Sequence, residues 1–252
     1  RHSRNLLSIM PETEIMAVRS TRTAPLLSSS NQVLTSTSIT EKYKIEEIET
    51  LTEALGKKPN LVFVTNPSSM HLEIAYKALE SGAFIFIEKP LSDDWDGVEE
   101  LLYLENKIGE RRVAIGYMFR FHPVLNMLKK EIDNGRIGTI VGARLMNGEY
   151  MPGWHPYEDY RKGYPARKDL GGGAIVTLIH DFDYAMWLFG EPDKIFALGG
   201  HISNLDINVE DSAQVLMRCN NGKNDFPVSI SMDYLQWPAI RTISITGDRG
   251  SI

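Results

Sequence analysis

The chain has 252 residues, of which 42% are hydrophobic and 24% charged, a composition typical of globular domains with their own apolar cores. Its net charge of -6 gives no general attraction for nucleic acid or an anionic membrane, and no run of basic residues supplies a local one. The single cysteine, Cys219, excludes an intramolecular disulfide and favours a cytoplasmic location, and apolar runs of only a few residues exclude a membrane-spanning helix.

The first half alternates short β-type runs with helical stretches, which predicts an α/β fold with a parallel sheet and crossover helices. The opening RHSRNLL reads as the inside of a helix without a cap, and ITGDRGSI breaks off on a strand and turn, so we treat both ends as truncated. Predicted strands cover 15–18, 61–64, 84–87 and 113–115. Predicted helices cover 45–55, 71–79 and a segment capped by Ser92 that continues to Ile108, and the Ser-rich stretch 25–40 is expected to be a surface loop.

The pattern changes after Gly116. A predicted helix at 123–134 and a strand at 139–146 are followed by an irregular aromatic and basic stretch, 150–170, and then by a helix that begins with glycines. Strands predicted at 195–202, 211–218, 228–234 and 241–246 favour an open, mostly antiparallel sheet. We therefore predict two domains, residues 1–118 with the parallel sheet and residues 119–252 with an α+β arrangement.

The turn TNPSSMH follows the second predicted strand. Open parallel sheets bind ligands at the carboxyl ends of their strands, and this turn offers backbone N–H groups and small polar side chains to a cofactor. A proline turn that only caps the next helix is the alternative interpretation. The cofactor-binding candidates here are Thr65, Asn66, Pro67 and His71.

The ends of two other strands also carry charged residues. The motif EKP places Glu88 and Lys89 directly after an apolar strand, and burial lowers the pKa of a lysine, so we interpret Lys89 as a proton-transfer residue, with a solvated lysine as the alternative. The first strand ends in Arg19, Ser20 and Arg22, where dinucleotide folds usually carry an acid for the ribose 2′-hydroxyl. Arginines there favour a 2′-phosphate and hence NADP(H), with two surface arginines as the alternative.

The segment GGGAIVTLIHDFDYAMWLFG, residues 171–190, begins with three glycines and carries polar residues into an apolar helix. Thr177, His180 and Asp183 recur at helical spacing, so we expect Thr177 and Asp183 to hydrogen-bond the His180 ring on a shared face. The glycines are expected to let a ligand approach the start of the helix closely. The segment thus predicts a wall of a ligand site, with a purely structural histidine as the alternative.

The stretch 150–170 combines aromatic rings with basic side chains. Rings stack on sugar faces and arginines bind carboxylate or phosphate, so the stretch suits a polyhydroxylated or anionic ligand, and an oligomer interface is the alternative. The substrate-binding candidates are Lys89, Arg120, Trp154, Tyr160, Arg161, Arg167, Thr177, His180 and Asp183. No metal site is predicted.

Together, the EKP motif, the TNPSSMH turn and the glycine helix with H-x-x-D resemble the glucose–fructose oxidoreductase/inositol dehydrogenase/MocA family over nearly the whole chain. The resemblance implies a Rossmann domain followed by a domain whose open sheet mediates homo-oligomers. It also implies NADP or NAD as cofactor and a sugar, sugar acid, cyclitol or sugar nucleotide as substrate. On this basis Glu88 and Lys89 would contact the cofactor, Lys89 would also contact the substrate, and His180 would be the acid/base.

The sequence departs from the family at two points. Thr177 stands where an aspartate is usual a turn before the histidine, so Asp181 or Asp183 would have to orient His180. The family's first strand and its G-x-G-x-x-G loop, which binds the pyrophosphate, precede the position where this chain starts. Three interpretations follow: an NAD(P)-dependent sugar oxidoreductase, an inactive relative that keeps sugar binding or oligomerisation, and an NAD-dependent lyase or glycosidase on the same scaffold.

Overall fold

The computed structural model describes residues 1–19, 26–28, 33–34 and 38–252. In the first half the elements are α1 (His2–Ile9), β1 (Met16–Val18), β2 (Leu26–Leu27), β3 (Val33–Leu34), α2 (Ile39–Tyr43), β4 (Glu46–Ile48), α3 (Leu51–Gly56), β5 (Leu61–Val64), α4 (His71–Glu80), β6 (Phe84–Ile87), α5 (Val98–Ile108) and β7 (Val113–Ile115). The opening helix, the helix at 71–79 and the predicted strands of this half are confirmed, with ends that differ by no more than about two residues.

The first half contains two parallel sheets. Strands β5, β6 and β7 pair in that order, β1 pairs with β4, and no ladder joins the two groups within the described residues. Helix α4 packs Ala75 and Ala78 against Ile85 and Ile87 of β6, and all four side chains are at most 1% exposed. This packing places the turns that follow β5 and β6 side by side at one sheet edge.

The prediction of a single helix over 45–55 is wrong, because this range contains β4 and then α3. Ile48 lies opposite Val18 in the parallel ladder and is 5% exposed, so strand pairing and burial override the local helical pattern. The predicted loop 25–40 also contains regular structure: β2 pairs with β3, and Ser38 caps α2 through a capping box with Glu41.

The predicted cap of α5 is wrong as well. The helix begins at Val98 after Gly97, whose φ of +83° is a left-handed conformation through which a helix of L-residues does not continue. Ser92 instead accepts a hydrogen bond from the Asp94 backbone N–H at 3.4 Å in the turn before the helix.

The second half is built on one mixed sheet. Its elements are α6 (Pro123–Asp133), β8 (Ile140–Gly148), α7 (Ala174–Thr177), α8 (His180–Phe189), β9 (Lys194–Gly200), β10 (Ser212–Asn220), β11 (Asp225–Asp233), β12 (Ile240–Gly247) and β13 (Gly250–Ser251). The strand order is β13-β12-β8-β11-β10-β9, and only the β8–β11 pair is parallel, so the predicted mostly antiparallel sheet is confirmed.

One face of this sheet is covered and the other is open. Residues of α6 and α8, such as Leu125 and Leu188, belong to the same buried cluster as Leu145, Met217 and Ile230 of the strands. This cluster is separate from the one around α4 and β6. We propose that the boundary between two domains lies near residue 118, between β7 and α6. Among the described residues, no helix has the length and hydropathy required to cross a membrane.

The glycine segment differs from its prediction in two ways. The helix is interrupted after Thr177, so that α7 and α8 are separate. A Cβ at Gly171 would lie 2.5 Å from Ser68 Oγ, at Gly172 it would meet the Tyr164 carbonyl, and at Gly173 the Glu210 carboxylate. The glycines therefore allow close packing of the chain against itself, and the expected approach of a ligand to this backbone is wrong.

Candidate active site between the two halves

Lys89 reaches from the first half of the chain into the second. In the strand before it, Ile85 and Ile87 are buried, and the Lys89 Nζ donates a hydrogen bond to the Thr177 carbonyl oxygen at 2.5 Å. Burial lowers the pKa of Lys89 to about 8, Glu88 opposes this shift, and the charge of Arg241 adds to it. An amine with a pKa this close to neutrality can exchange a proton with a bound hydroxyl group.

His180 begins α8 and is 7% exposed. Its ring lies edge-on to Phe119 at 4.8 Å between centroids, with Tyr117 at 6.1 Å. Burial, together with the charges of Lys89 and Arg241, lowers the pKa of His180 to about 4. The ring is therefore neutral at pH 7 and can accept a proton. Lys89 binds the carbonyl of Thr177, three residues before His180, so both side chains lie at the α7–α8 junction.

The expected hydrogen bonds from Thr177 and Asp183 to the His180 ring are not formed. Asp183 instead accepts a bidentate pair from Arg120, with Nη2–Oδ1 at 2.7 Å and Nε–Oδ2 at 3.0 Å. Asp181 is fully buried and accepts hydrogen bonds from Asn147 Nδ2 at 2.6 Å and from the Tyr184 hydroxyl. The interruption between α7 and α8 breaks the regular helical spacing, and the charge-assisted bond to Arg120 competes for Asp183. Neither aspartate therefore orients the ring.

Buried polar atoms without a partner are concentrated in the predicted substrate-binding residues. Within the described part of the chain, the buried side-chain atoms that lack a hydrogen-bond partner are Trp154 Nε1, Thr177 Oγ1, His180 Nδ1 and Asn224 Oδ1. Three of these four belong to the predicted set. An unpaired buried polar group costs about 1–3 kcal/mol, which a ligand with hydroxyl groups can offset.

The arginines of the stretch 150–170 are not free to bind an anion, contrary to expectation. Arg161 forms two bonds of 2.8 Å with Asp159, and Arg167 binds both carboxylate oxygens of Asp169, at 3.1 and 2.5 Å. The Tyr160 hydroxyl accepts a hydrogen bond from the Asp206 backbone at 3.3 Å. Each arginine is thus paired with an aspartate two residues away in the sequence, and these local ion pairs stabilise the conformation of the loop.

Of the predicted cofactor-binding turn, Thr65 and Asn66 are exposed, and their backbone N–H groups meet no acceptor among the described residues. His71 differs from the prediction: it is 1% exposed, and its Nδ1 and Nε2 each lie 2.8 Å from a carbonyl oxygen, those of Pro90 and Asn66. Its ring connects the TNPSSMH turn to the EKP turn instead of facing a ligand.

The two turns are further joined to the glycine segment. Ser68 Oγ donates to the Gly171 carbonyl at 2.8 Å, and Ser69 Oγ lies 3.2 Å from the Asp169 carbonyl. The close approach of Gly171 to Ser68 makes room for this contact. The turn after β5 is thus held directly against the second half, beside α7.

Several residues near the site were missed from the sequence. His2 of α1 lies 2.6 Å from Glu88 Oε1, and its ring packs on Phe63 and Phe86 at 5.3 and 5.5 Å. The hydrogen bond from His2 lowers the pKa of Glu88. Phe119 and Arg241 were also missed, since nothing in their local sequence distinguishes them from core or surface residues.

Arg19 is the only described residue of the predicted 2′-phosphate site. Its Nη1 lies 3.2 Å from Glu47 Oε1, so a carboxylate already accompanies this guanidinium. Ser20 and Arg22 lie outside the described residues.

Comparison with known proteins matches both halves of the chain to family models. Residues 2–117 match an oxidoreductase family with an NAD-binding Rossmann fold, and residues 125–252 match the GFO/IDH/MocA C-terminal domain. The inositol 2-dehydrogenase/D-chiro-inositol 3-dehydrogenase of Lactiplantibacillus plantarum is 31% identical over 177 residues, 68% of this chain and 47% of that protein. The chain thus spans about half the length of the curated relatives it matches.

Two solved structures show the same fold. The myo-inositol 2-dehydrogenase from Lactobacillus plantarum superposes with a TM-score of 0.79 at 20% identity, over 100% of this chain and 71% of that one. The WlbA dehydrogenase from Bordetella pertussis, solved with NADH and UDP-GlcNAcA, gives a TM-score of 0.73 at 21% identity, over 84% of this chain and 63% of that one.

Proposed function

The chain belongs to the GFO/IDH/MocA family of NAD-binding oxidoreductases, and from that premise we propose that it acts in hydride transfer between a nicotinamide cofactor and a carbohydrate or cyclitol. The observation that carries the proposal is the meeting of Lys89 from the first half with the α7–α8 junction of the second, where His180 lies.

His180 and Lys89 act on the oxygen of the carbon that is oxidised or reduced. When bound, the nicotinamide supplies the hydride acceptor or donor. In oxidation, the neutral His180 ring accepts the proton of the substrate hydroxyl as the hydride leaves the carbon, and in reduction it returns that proton. Lys89 donates a hydrogen bond to the same oxygen and stabilises the negative charge that develops there.

A nicotinamide dinucleotide fits the residues present. The free N–H groups of Thr65 and Asn66 lie at the carboxyl end of β5, where doubly wound sheets bind nucleotides, and Glu88 and Lys89 lie at the end of the adjacent β6. These residues would hold the cofactor on the side of the site that belongs to the first half.

The substrate class is proposed as sugars, cyclitols or sugar nucleotides. The unpaired polar atoms of Trp154, Thr177 and His180 support a ligand that carries several hydroxyl groups. The comparisons support the same class, since the Lactiplantibacillus plantarum relative is named as an inositol dehydrogenase and one fold neighbour was solved with a sugar nucleotide.

Titration of the chain with NADH and with NADPH, followed by nicotinamide fluorescence, tests cofactor binding. We expect saturable binding. We expect Arg19→Asp to lower the affinity for NADPH relative to that for NADH by about tenfold, because the variant replaces a phosphate-binding cation by an anion. Thr52→Asp on the exposed side of α3 is the control for added charge. If the ratio of the NADPH and NADH dissociation constants is unchanged in Arg19→Asp, Arg19 does not belong to the cofactor site. If neither dinucleotide binds, the proposed function is contradicted.

We further propose that the open face of the second sheet forms a homo-oligomer. Phe196, Leu198 and Leu216 on neighbouring strands are 69%, 70% and 49% exposed, and contiguous apolar surface of this kind marks protein interfaces. Leu216→Glu is expected to lower the molar mass measured by light scattering to that of a smaller species, since it buries a charge in the interface. Thr52→Glu, far from this sheet, is expected to leave the mass unchanged, and an unaltered mass in Leu216→Glu argues against the interface.

A further inference from the structure

Arg241 is an arginine of the candidate active site that lacks a carboxylate partner at hydrogen-bond distance. It lies on β12 opposite Asn147 of β8, on the covered face of the sheet. Its guanidinium stands over the Phe119 ring, 4.6 Å from the centroid, and its Nη2 is 4.0 Å from Asp181 Oδ2, beyond hydrogen-bond range. The side chain is 39% exposed, so part of the guanidinium remains open to a ligand.

Three other arginines predicted to bind substrate are already occupied. Each holds a carboxylate through two nitrogens, in the pairs Arg120–Asp183, Arg161–Asp159 and Arg167–Asp169. Asp181 does not occupy Arg241 in the same way, because its oxygens accept from Asn147 and Tyr184. Within the described residues, Arg241 donates no hydrogen bond, and its planar group keeps the geometry that matches a carboxylate or a phosphate.

Arg241 stands next to the groups that act on the reacting carbon. The Phe119 ring that it covers is in edge contact with the His180 ring at 4.8 Å. The positive charge of Arg241 also lowers the pKa of both Lys89 and His180, which agrees with a short separation from each of them. Arg241 and Lys89 are therefore two cations beside the neutral His180 ring, and an anion bound between them would offset their mutual repulsion.

We propose that Arg241 binds an oxyanion, a carboxylate or a phosphate, which the substrate carries close to the carbon that undergoes hydride transfer. The contact with Phe119, with Arg241 Cζ 4.6 Å from the ring centroid, restricts the positions that the guanidinium can take. The position of the reacting carbon rests on the proposed function, and the new element is that the substrate is an acidic carbohydrate and not a neutral one.

The test compares three probes, D-glucuronate, D-glucose and D-glucose 6-phosphate, by calorimetric titration of the whole chain without cofactor. The wild type is expected to bind at least one anionic probe about tenfold or more tightly than D-glucose, as a charge-assisted bond to arginine predicts. If glucuronate binds more tightly than the other probes, the site prefers a carboxylate. If D-glucose 6-phosphate binds most tightly, the site prefers a phosphate.

Variants then test whether the preference for an anionic probe depends on Arg241. Arg241→Met is expected to remove it, a loss of about 10- to 100-fold for the anionic probe with glucose affinity unchanged, and Arg241→Lys is expected to keep part of it. Arg249→Met is the matched control, because its guanidinium also lies 4.0 Å from a carboxylate but at the β12–β13 turn, with the side chain 73% exposed. Circular dichroism checks that each variant is folded.

Two results overturn the proposal: no preference for either anion in the wild type, which includes the case in which no probe binds, or a preference that persists in folded Arg241→Met. The first result needs no variant. A separate NADH titration tests the proposed function independently. If NADH binds but no anion preference depends on Arg241, only the anion site is wrong. If an anion binds through Arg241 but NADH does not bind, only the proposed function is wrong.

Discussion

Replacement of Lys89 by alanine is expected to lower kcat by about 10²- to 10⁴-fold, with cofactor affinity within a few-fold of the wild type. The amine makes a hydrogen bond to α7 from the first half, and it is the group we assign to the reacting oxygen. Its loss removes both a proton donor and a positive charge at that oxygen, and a neutral methyl group supplies neither. Absorbance of the reduced nicotinamide measures turnover, and nicotinamide fluorescence measures binding.

Lys77→Ala is the matched control for this prediction. Lys77 lies on the exposed side of α4 and forms an ion pair with Glu73, remote from the α7–α8 junction. We expect turnover within about twofold of the wild type, as is usual for surface substitutions. If Lys89→Ala retained near-normal turnover, the interpretation of the EKP motif as part of a catalytic site would be wrong.

Replacement of His180 by glutamine is expected to lower kcat by about 10²- to 10⁴-fold as well, because an amide of similar size cannot take up the hydroxyl proton. His155→Gln, a half-exposed histidine of the loop before the glycine segment, is the control for loss of an imidazole. Turnover in His180→Gln close to that of the wild type would assign the proton transfer to another group.

The neutral state of His180 has a consequence for stability against pH. Its pKa is about 4 in the folded chain and 6.5 when exposed, so the unfolded chain binds an extra proton between these values and stability falls as pH falls from 6.5 towards 4. Between pH 7 and 4.5 this contributes a loss of about 2.5 kcal/mol in the free energy of unfolding. Urea unfolding of wild type and His180→Gln at both pH values is expected to show a smaller loss in the variant, and equal losses would contradict a buried neutral ring.

Much of the fold could be predicted from local pattern alone. The runs 61–64 and 84–87 are short and apolar, which is typical of strands in a parallel sheet. The helix at 71–79 repeats its apolar residues every three or four positions, which indicates the side of the helix that is buried. The secondary-structure predictions were wrong where contacts with residues distant in the sequence override the local pattern. The range 45–55 has a helical pattern, but β1 pairs with β4 and Ile48 is buried there. The helix predicted from Ser92 starts only at Val98, after Gly97.

The candidate residues at single positions could likewise be chosen from the sequence: a lysine followed by a proline at the end of an apolar strand, and a histidine within an apolar helical segment. Which groups face them could not, because Lys89 and Thr177 are 88 residues apart and Arg120 and Asp183 are 63 apart. Helical spacing indicated Asp183 as the partner of His180, whereas the fold brings the Arg120 fork to Asp183 and leaves the imidazole Nδ1 unpaired.

The sequence by itself therefore determined most of the strands, the parallel sheet of the first half and the mostly antiparallel sheet of the second, and it singled out Lys89 and His180 as candidates. Only the tertiary structure decided that Ser68, Tyr164 and Glu210 lie where the Cβ atoms of three glycines would be, and that His71 joins two turns. It also decided that Arg241 of the candidate site has no carboxylate at hydrogen-bond distance among the described residues. The reason is physical: periodicity is set by neighbours within one or two turns, but competition among charged groups for a partner is settled by distances that exist only after the two halves have packed.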